Sequence, residues 1–240
     1  MKIIADYHTH TLYSDGKGTI EQNVISAINK NLDIIGISDH GHKHMGFGVK
    51  YHLFEKMRYE IDLMNEKYPS IKVLLGIECN ILDDKGNIDI DDKIMKYFDY
   101  IMAGYHFGSR PTNWIRGSRN HINNYTKLFN KFEVKYNTDA LINAMKNNDI
   151  FILTHPGDKG HVNIIEVAHA AVETGTLMEI NSHHRNLTLD QLLAIKHTNA
   201  NYVIGSDSHM PENVGNFDSA MERVQTAEID LDKIVNIRGD

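Results

Sequence analysis

An α/β barrel of about seven parallel strands is the fold this sequence predicts, on three observations. Seven short runs, residues 3–7, 33–38, 72–77, 99–105, 150–154, 176–180 and 201–205, are almost continuously apolar. Such runs suit strands buried on both faces of a parallel sheet, because a sheet with one wet face alternates apolar and polar residues. Helical patterns separate most of the runs, and a side chain able to bind a metal follows nearly every one.

The first helix opens at Thr19, where Gln22 completes a capping box and Ile20, Val24, Ala27 and Ile28 fall on one face. Leu53, Met57, Ile61 and Met64 form the stripe of the second. The long segment 107–137 contains an apparent helix bearing Ile122, Tyr125, Phe129 and Phe132. Asn163 and Glu166 open a further helix whose buried side is Ile164, Val167, Ala168, Ala171 and Val172, and Gly175 supplies a left-handed stop. Thr188 and Gln191 repeat the capping box ahead of Leu192, Leu193 and Ile195. The Met and Leu stripes read as core rather than as a cofactor box. Strand and helix alternating in this way leave either an open doubly wound sheet or a closed barrel. An open sheet gathers active groups at one switch point, whereas a barrel brings every strand end to one mouth. His8, His10, Asp15, His40, Glu78, His106, His155, Asp207 and His209 are spread over nearly all the strand ends, with Asn181, His183 and His184 at the sixth, so the barrel is expected.

A chain of 240 residues with 41% hydrophobic content fits one domain over 1–240. A net charge of -7 without a basic arm argues against nucleic acid and membrane surfaces as partners. Cys79 stands alone, which permits no intramolecular disulfide, and reads as a small buried residue. The start, Met1 to Asp6, meets an acid and then His8 too early for a signal peptide, and no apolar stretch approaches the ~18 residues of a membrane span. A cytoplasmic protein is expected.

Imidazoles and carboxylates without thiolate favour zinc, manganese or iron over calcium and magnesium. Nine candidate ligands exceed the ~four of a single zinc site, so two or three ions are implied. Asp15, Glu78 and Asp207 bring three negative charges, leaving three divalent ions with an excess of three positive charges. A bridging hydroxide and a phosphate dianion would remove that excess, which makes a phosphate ester the natural guest. Ions spaced at ~3.5–4 Å acidify water toward pKa ~7 and clamp attacking and leaving oxygens.

The motifs His8-Thr9-His10-Thr11, Ser14-Asp15-Gly16, Ser38-Asp39-His40-Gly41, Gly76-Ile77-Glu78, Ala103-Gly104-Tyr105-His106, Thr154-His155-Pro156-Gly157, Glu179-Ile180-Asn181 and Gly205-Ser206-Asp207-Ser208-His209 resemble, in order, those of the PHP (polymerase and histidinol phosphatase) family. The stretch from Gly76 to Asn87 is especially similar to the stand-alone bacterial PHP phosphatases. This resemblance implies a distorted (β/α)7 barrel with a trinuclear cluster at the C-terminal end of the strands. By the same resemblance, His8, His10, Glu78 and Asp207 hold one ion, and Glu78 bridges to a second held by His106 and His155. Asp15, His40 and His209 take the third, and some relatives carry histidine in place of Asp15. Glu78, Asp207 and His209 would then serve catalysis, a metal-bridging hydroxide attacking the phosphorus of a small phosphomonoester in line. Asp39 is expected to orient a ligand imidazole. His42 and His183 are candidates for protonating the leaving group, and His44, His161 and His184 read equally well as surface residues.

Arg185 and Lys159, just after the sixth and fifth runs, are expected to contact the phosphate, Arg185 foremost. The segment after His106 holds Arg110, Trp114, Arg116, Arg119 and His121 with no acid between Phe107 and Asn120. Either it covers the ester, with Arg116 a planar donor, or its arginines pair with acids elsewhere. The competing functions are a histidinol-phosphate phosphatase, a metal-dependent amide hydrolase, a proofreading exonuclease and a catalytically silent metal-binding regulatory module. Amide hydrolases often bridge their ions with a modified lysine where this chain has Glu78. An exonuclease sits poorly with the acidic charge, and a silent module predicts gaps in the ligand set.

Overall fold

The computed structural model describes residues 2–126 and 131–239. Lys2–Ile3 (β1) pairs antiparallel with Ile237–Arg238 (β9) in a small ribbon. The other seven strands form one parallel sheet in chain order: Ala5–Asp6 (β2), Ile34–Ile37 (β3), Lys72–Asn80 (β4), Tyr100–Gly104 (β5), Ile152–Leu153 (β6), Leu177–Asn181 (β7) and Tyr202–Gly205 (β8). Helices Ile20–Asn29 (α1), Phe54–Lys67 (α2), Asp92–Met95 (α3), Trp114–Tyr125 (α4), Lys131–Asn147 (α5), Ile164–Thr174 (α6) and Leu189–Ile195 (α7) lie between the strands, and Asp218–Ala227 (α8) follows β8. The expected caps are present. Thr19 and Thr188 each form a capping box with the glutamine three residues on, Asn163 caps α6, and Gly175 ends it at φ 74°.

A sheet edge leaves backbone N–H and C=O groups unpaired, and a barrel removes that cost by closure. Here the seam between β2 and β8 is filled by Asn236. Its Nδ2 donates to the carbonyls of Ala5 and Ile204, each at 2.8 Å, and its Oδ1 accepts from Ile204 N at 3.0 Å. Nearer the mouth, His10 N donates to Ser208 O at 2.8 Å and Ser208 N to His8 O at 3.2 Å. The seven strands therefore make a nearly closed barrel. Tyr100, Met102, Ile152, Leu177 and Val203 pack together inside it, with Tyr7 and Leu74 against them, as an apolar floor. Ile35, Ile37, Leu75, Ile77 and Cys79 belong instead to the layer between strands and helices.

The long connection departs from the sequence expectation. Ile122 and Tyr125 lie on α4 and Phe132 on a separate helix, α5, while Phe129 is outside the described residues. α4 buries Gly117, Asn120 and Asn124, and leaves Ile122 and Tyr125 exposed. Buried amides need partners. Asn137 Oδ1 accepts from Asn120 Nδ2 at 2.9 Å and Asn124 Nδ2 at 3.1 Å, and Tyr105 Oη accepts from Asn120 Nδ2 at 3.0 Å. Val172, expected on the buried side of α6, is exposed as well. No helix among the described residues is long and apolar enough to cross a membrane.

Candidate metal centre

All nine side chains singled out in the sequence converge on the C-terminal mouth. Eight lie in loops beyond strand ends, whereas Glu78 sits within β4, because pairing with β5 continues through Asn80 and Gly104. Glu78 Oε1 is 3.4 Å from His8 Nε2, and Glu78 Oε2 is 3.7 Å from His10 Nε2. The two Nε2 atoms are 3.1 Å apart and lie 3.5 and 3.3 Å from Asp207 Oδ1. Ligands at ~2.1 Å from a tetrahedral ion stand roughly 3.4 Å from one another, so His8, His10 and Asp207 have the spacing of a metal site, with Glu78 beside them.

The same Glu78 Oε1 is 2.9 Å from His155 Nε2 and 3.1 Å from His106 Nε2. Those two nitrogens are 3.3 Å apart. Asp15 Oδ2 lies 3.4 Å from His209 Nε2 and 3.5 Å from His40 Nε2, and His40 Nδ1 faces Glu78 Oε2 at 2.9 Å. His10 stands between the first and third of these groups, its Nδ1 3.7 Å from Asp15 Oδ1. His10 Nδ1 is buried without a hydrogen-bond partner, and His40 Nδ1 and Glu78 Oε2, though close, are not aligned as a hydrogen bond. A buried polar atom left unsatisfied costs about 1–3 kcal/mol, and cations within the cluster would satisfy all three, so the donor set fits a metal. Two of the gathered residues, His155 and Asp207, hold left-handed backbone at φ 27° and 51°, a conformation uncommon for non-glycine residues.

A second ring of polar groups fixes the first. Glu179 Oε1 lies 2.6 Å from His8 Nδ1, while Glu179 Oε2 accepts from His155 N and Asn181 Nδ2, both at 2.9 Å. His106 Nδ1 meets Asn80 Oδ1 at 3.1 Å. Buried Asp89 accepts from both Asn80 N (2.6 Å) and Asn80 Nδ2 (2.7 Å). With its amide nitrogen committed to Asp89, Asn80 offers His106 an acceptor. The proton then sits on Nδ1 and the Nε2 lone pair faces Glu78. Asn80→Ala is expected to weaken cation binding beside His106 and His155 by about 10–100-fold, read by competition with a chelating dye. Unchanged affinity would mean that packing alone holds the ring.

The geometry gives two further residues their partners. Asp39 touches no imidazole by hydrogen bond. It accepts from Thr11 N (2.8 Å), Thr11 Oγ1 (2.7 Å) and Ser14 Oγ (2.5 Å), and so shapes the loop that presents Asp15. His184 is partly exposed but faces the cluster: its Nε2 is 3.3 Å from Asp207 Oδ2 and its Nδ1 3.4 Å from Asp158 Oδ2. With His155 and Asp207 it forms a further group of ligand type. His44 stacks on His40 at 5.3 Å.

Burial alone would raise the carboxyls of Glu78 and Asp207. The imidazoles of His106, His8 and His40 around the first, and of His8 and His10 around the second, hold them well below the usual range. Burial, with His40 and His209 nearby, lowers His10 to about 3, and burial lowers His106 to about 4. Neutral imidazole is the form that ligates. His40 goes the other way: burial opposes its charge, yet Glu78 and Asp15 hold it at about 10.

Among the basic residues, Arg185 lines a cleft that also bears Asp207 and His209. Lys159 pairs with Asp158 at 2.5 Å, beside His184. Arg116 lies outside this gathering. It pairs with Asp84 at 3.0 Å, 5.3 Å above the Tyr136 ring, and Arg119 faces Glu133 at 3.7 Å. His183 has its ring 5.5 Å from His209, and His42 packs against Tyr51.

Residues 6–234 match the PHP domain. A protein named "Probable phosphatase" from Thermoanaerobacter sp. (strain X514) is 30% identical over 98% of this chain and 91% of its own. Another so named, from Caldanaerobacter subterraneus subsp. tengcongensis, is 30% identical over 100% of this chain and 89% of its own. The barrel is shared with histidinol phosphate phosphatase from Lactococcus lactis subsp. lactis, solved with zinc, L-histidinol and phosphate: TM-score 0.61, 16% identity, 95% of each chain covered. With the domain match running through nearly its whole length, this chain belongs to the PHP domain family.

Proposed function

We propose that the protein is a metal-dependent phosphatase that hydrolyses a small phosphomonoester at three divalent transition-metal ions, zinc, manganese or iron. The observation that carries this reading is Glu78, a buried carboxylate whose Oε1 faces His8, His106 and His155 and whose Oε2 faces His10 and His40, all within 3.7 Å. His8, His10, Glu78 and Asp207 would hold the first ion, Glu78, His106 and His155 the second, and Asp15, His40 and His209 the third. Bound there, the ions would acidify a water molecule and withdraw charge from the phosphoryl oxygens. In the overall reaction, water oxygen adds to phosphorus, the ester P–O bond breaks, and a proton passes to the departing oxygen. Glu179, Asn80 and the Asp39 loop keep the ligand atoms aimed at one region, so little reorganisation accompanies the reaction.

Arg185 is assigned to the phosphate and Lys159 to its approach, while Arg116, engaged by Asp84, is a weaker candidate. A silent module is disfavoured because all nine ligand positions are filled and gathered, and an amide hydrolase because the bridge position is Glu78. The test is metal analysis alongside p-nitrophenyl phosphate turnover with zinc, manganese and iron. Three bound ions without hydrolysis would favour the silent module. Arg185→Gln is expected to raise KM roughly tenfold with a smaller change in kcat; an unaltered KM would remove Arg185 from the phosphate site.

A further inference from the structure

The cleft that opens on Asp207 and His209 has a volume of about 370 Å³, within the range of small-molecule sites. His155, by contrast, lines a crevice of about 10 Å³, too small for any substrate. The Asp207 side, between the loop after β7 and the turn that precedes α8, has room for a departing group. The chemistry of that wall is uniform. Asn213, Asn216 and Ser219 face the cleft, and none of their side chains makes a hydrogen bond within the protein among the described residues. Apart from the candidate ligand Asp207, the lining contains no carboxylate, and it contains no Phe, Tyr or Trp. Arg185 is its cation.

The wall is also held in place. Buried Asp6 accepts from Gly215 N at 2.9 Å, and its other oxygen accepts from Ser206 N at 3.2 Å and His8 N at 3.3 Å. One carboxylate thus ties the Asn213–Asn216 turn to the strand end that carries His8. Val214, within the turn, is fully buried. The backbone of the turn is placed in this way, and the exposed amides of Asn213 and Asn216 and the partly buried Ser219 hydroxyl offer both donors and acceptors to a ligand.

We propose that the natural substrate is a phosphorylated polyhydroxyl compound, of the sugar- or polyol-phosphate type, whose hydroxyls pair with Asn213, Asn216 and Ser219. This rests on the phosphatase reading above. An ammonium-bearing fragment such as histidinol would meet Arg185 and no free carboxylate.

The test uses the metal-loaded full chain with ribose 5-phosphate, histidinol phosphate and p-nitrophenyl phosphate. The expected kcat/KM for ribose 5-phosphate exceeds that for histidinol phosphate by about tenfold or more. Asn216→Asp, which adds an acid to the wall, should narrow that ratio about tenfold, and Asn213→Ala should lower the ratio of ribose 5-phosphate to p-nitrophenyl phosphate several-fold. Equal or better use of histidinol phosphate, or ratios unmoved by both variants, overturns the assignment. Calorimetry separates the two readings. If ribose 5-phosphate binds in an Asn216-dependent way but nothing is hydrolysed, the cleft assignment stands and the phosphatase reading falls. If p-nitrophenyl phosphate is hydrolysed while ribose 5-phosphate neither binds nor reacts, the cleft assignment falls alone.

Discussion

Glu78→Gln is expected to reduce p-nitrophenyl phosphate turnover by about a thousandfold or more, and to leave the protein with less than its full complement of metal. The side chain lies within 3.7 Å of ring nitrogens from five histidines: His8, His10, His40, His106 and His155. Glutamine keeps the shape, so the fold is retained and the change isolates charge. It removes one of three negative charges from a buried cluster and replaces a lone pair with an N–H donor aimed at nitrogens that must themselves supply lone pairs. Two of the proposed sites lose a ligand at once. Elemental analysis of the purified variant should therefore show a loss greater than one equivalent, with an unchanged far-ultraviolet dichroism spectrum as control. A variant with full metal and full turnover would remove Glu78 from the bridging position.

What could be read from the sequence, and what could not, follows from how each residue does its work. The barrel was legible because parallel strands buried on both faces must be apolar, and most of the ligands stand close to where such a run stops. Glu78 was recognised, though it lies within β4 rather than beyond it. The groups that aim the ligands were not, because their roles exist only through partners far away in sequence. Glu179 reaches His8 across 171 positions, and nothing local marks that pairing. Glu179 stood inside a quoted motif, and that was the available signal. Asn80 and Asp89 flank a turn and read as turn residues. Helix α4 misled for a different reason: it inverts the usual pattern, burying Asn120 and Asn124 against Asn137 and Tyr105 while Ile115, Ile122 and Tyr125 face outward. Hydrophobic periodicity assumes that polar residues mark the wet face. A buried amide network defeats that assumption, and a stripe of Ile and Tyr then points away from the core.

Chelation is expected to abolish turnover and to lower the melting temperature by several degrees, with a pH dependence that distinguishes loss of ligand charge balance from general weakening. A site filled at about a thousand times its dissociation constant stabilises the folded state by about 4 kcal/mol, all of which is lost on stripping. In the stripped protein, His40 is raised from 6.5 to about 10. A raised folded pKa gives stability that is fully present below about pH 6.5 and lost as pH climbs toward about 10. His10 has the opposite sign. Burial and its neighbours lower it to about 3, so the unfolded chain takes up a proton that the folded chain refuses, and stability falls as pH drops below about 6.5. The stripped protein should thus be most stable near the ordinary imidazole pKa and weaken on either side. Metal binding at His40 must displace its proton, so affinity rises over the same alkaline interval in which the stripped form weakens. The gap between loaded and stripped melting temperatures should therefore widen from about pH 6.5 upward. Melts recorded with and without chelator across that range would show it. A constant gap would mean that His40 is not a ligand, and turnover surviving complete metal removal would overturn the metal-dependent mechanism itself.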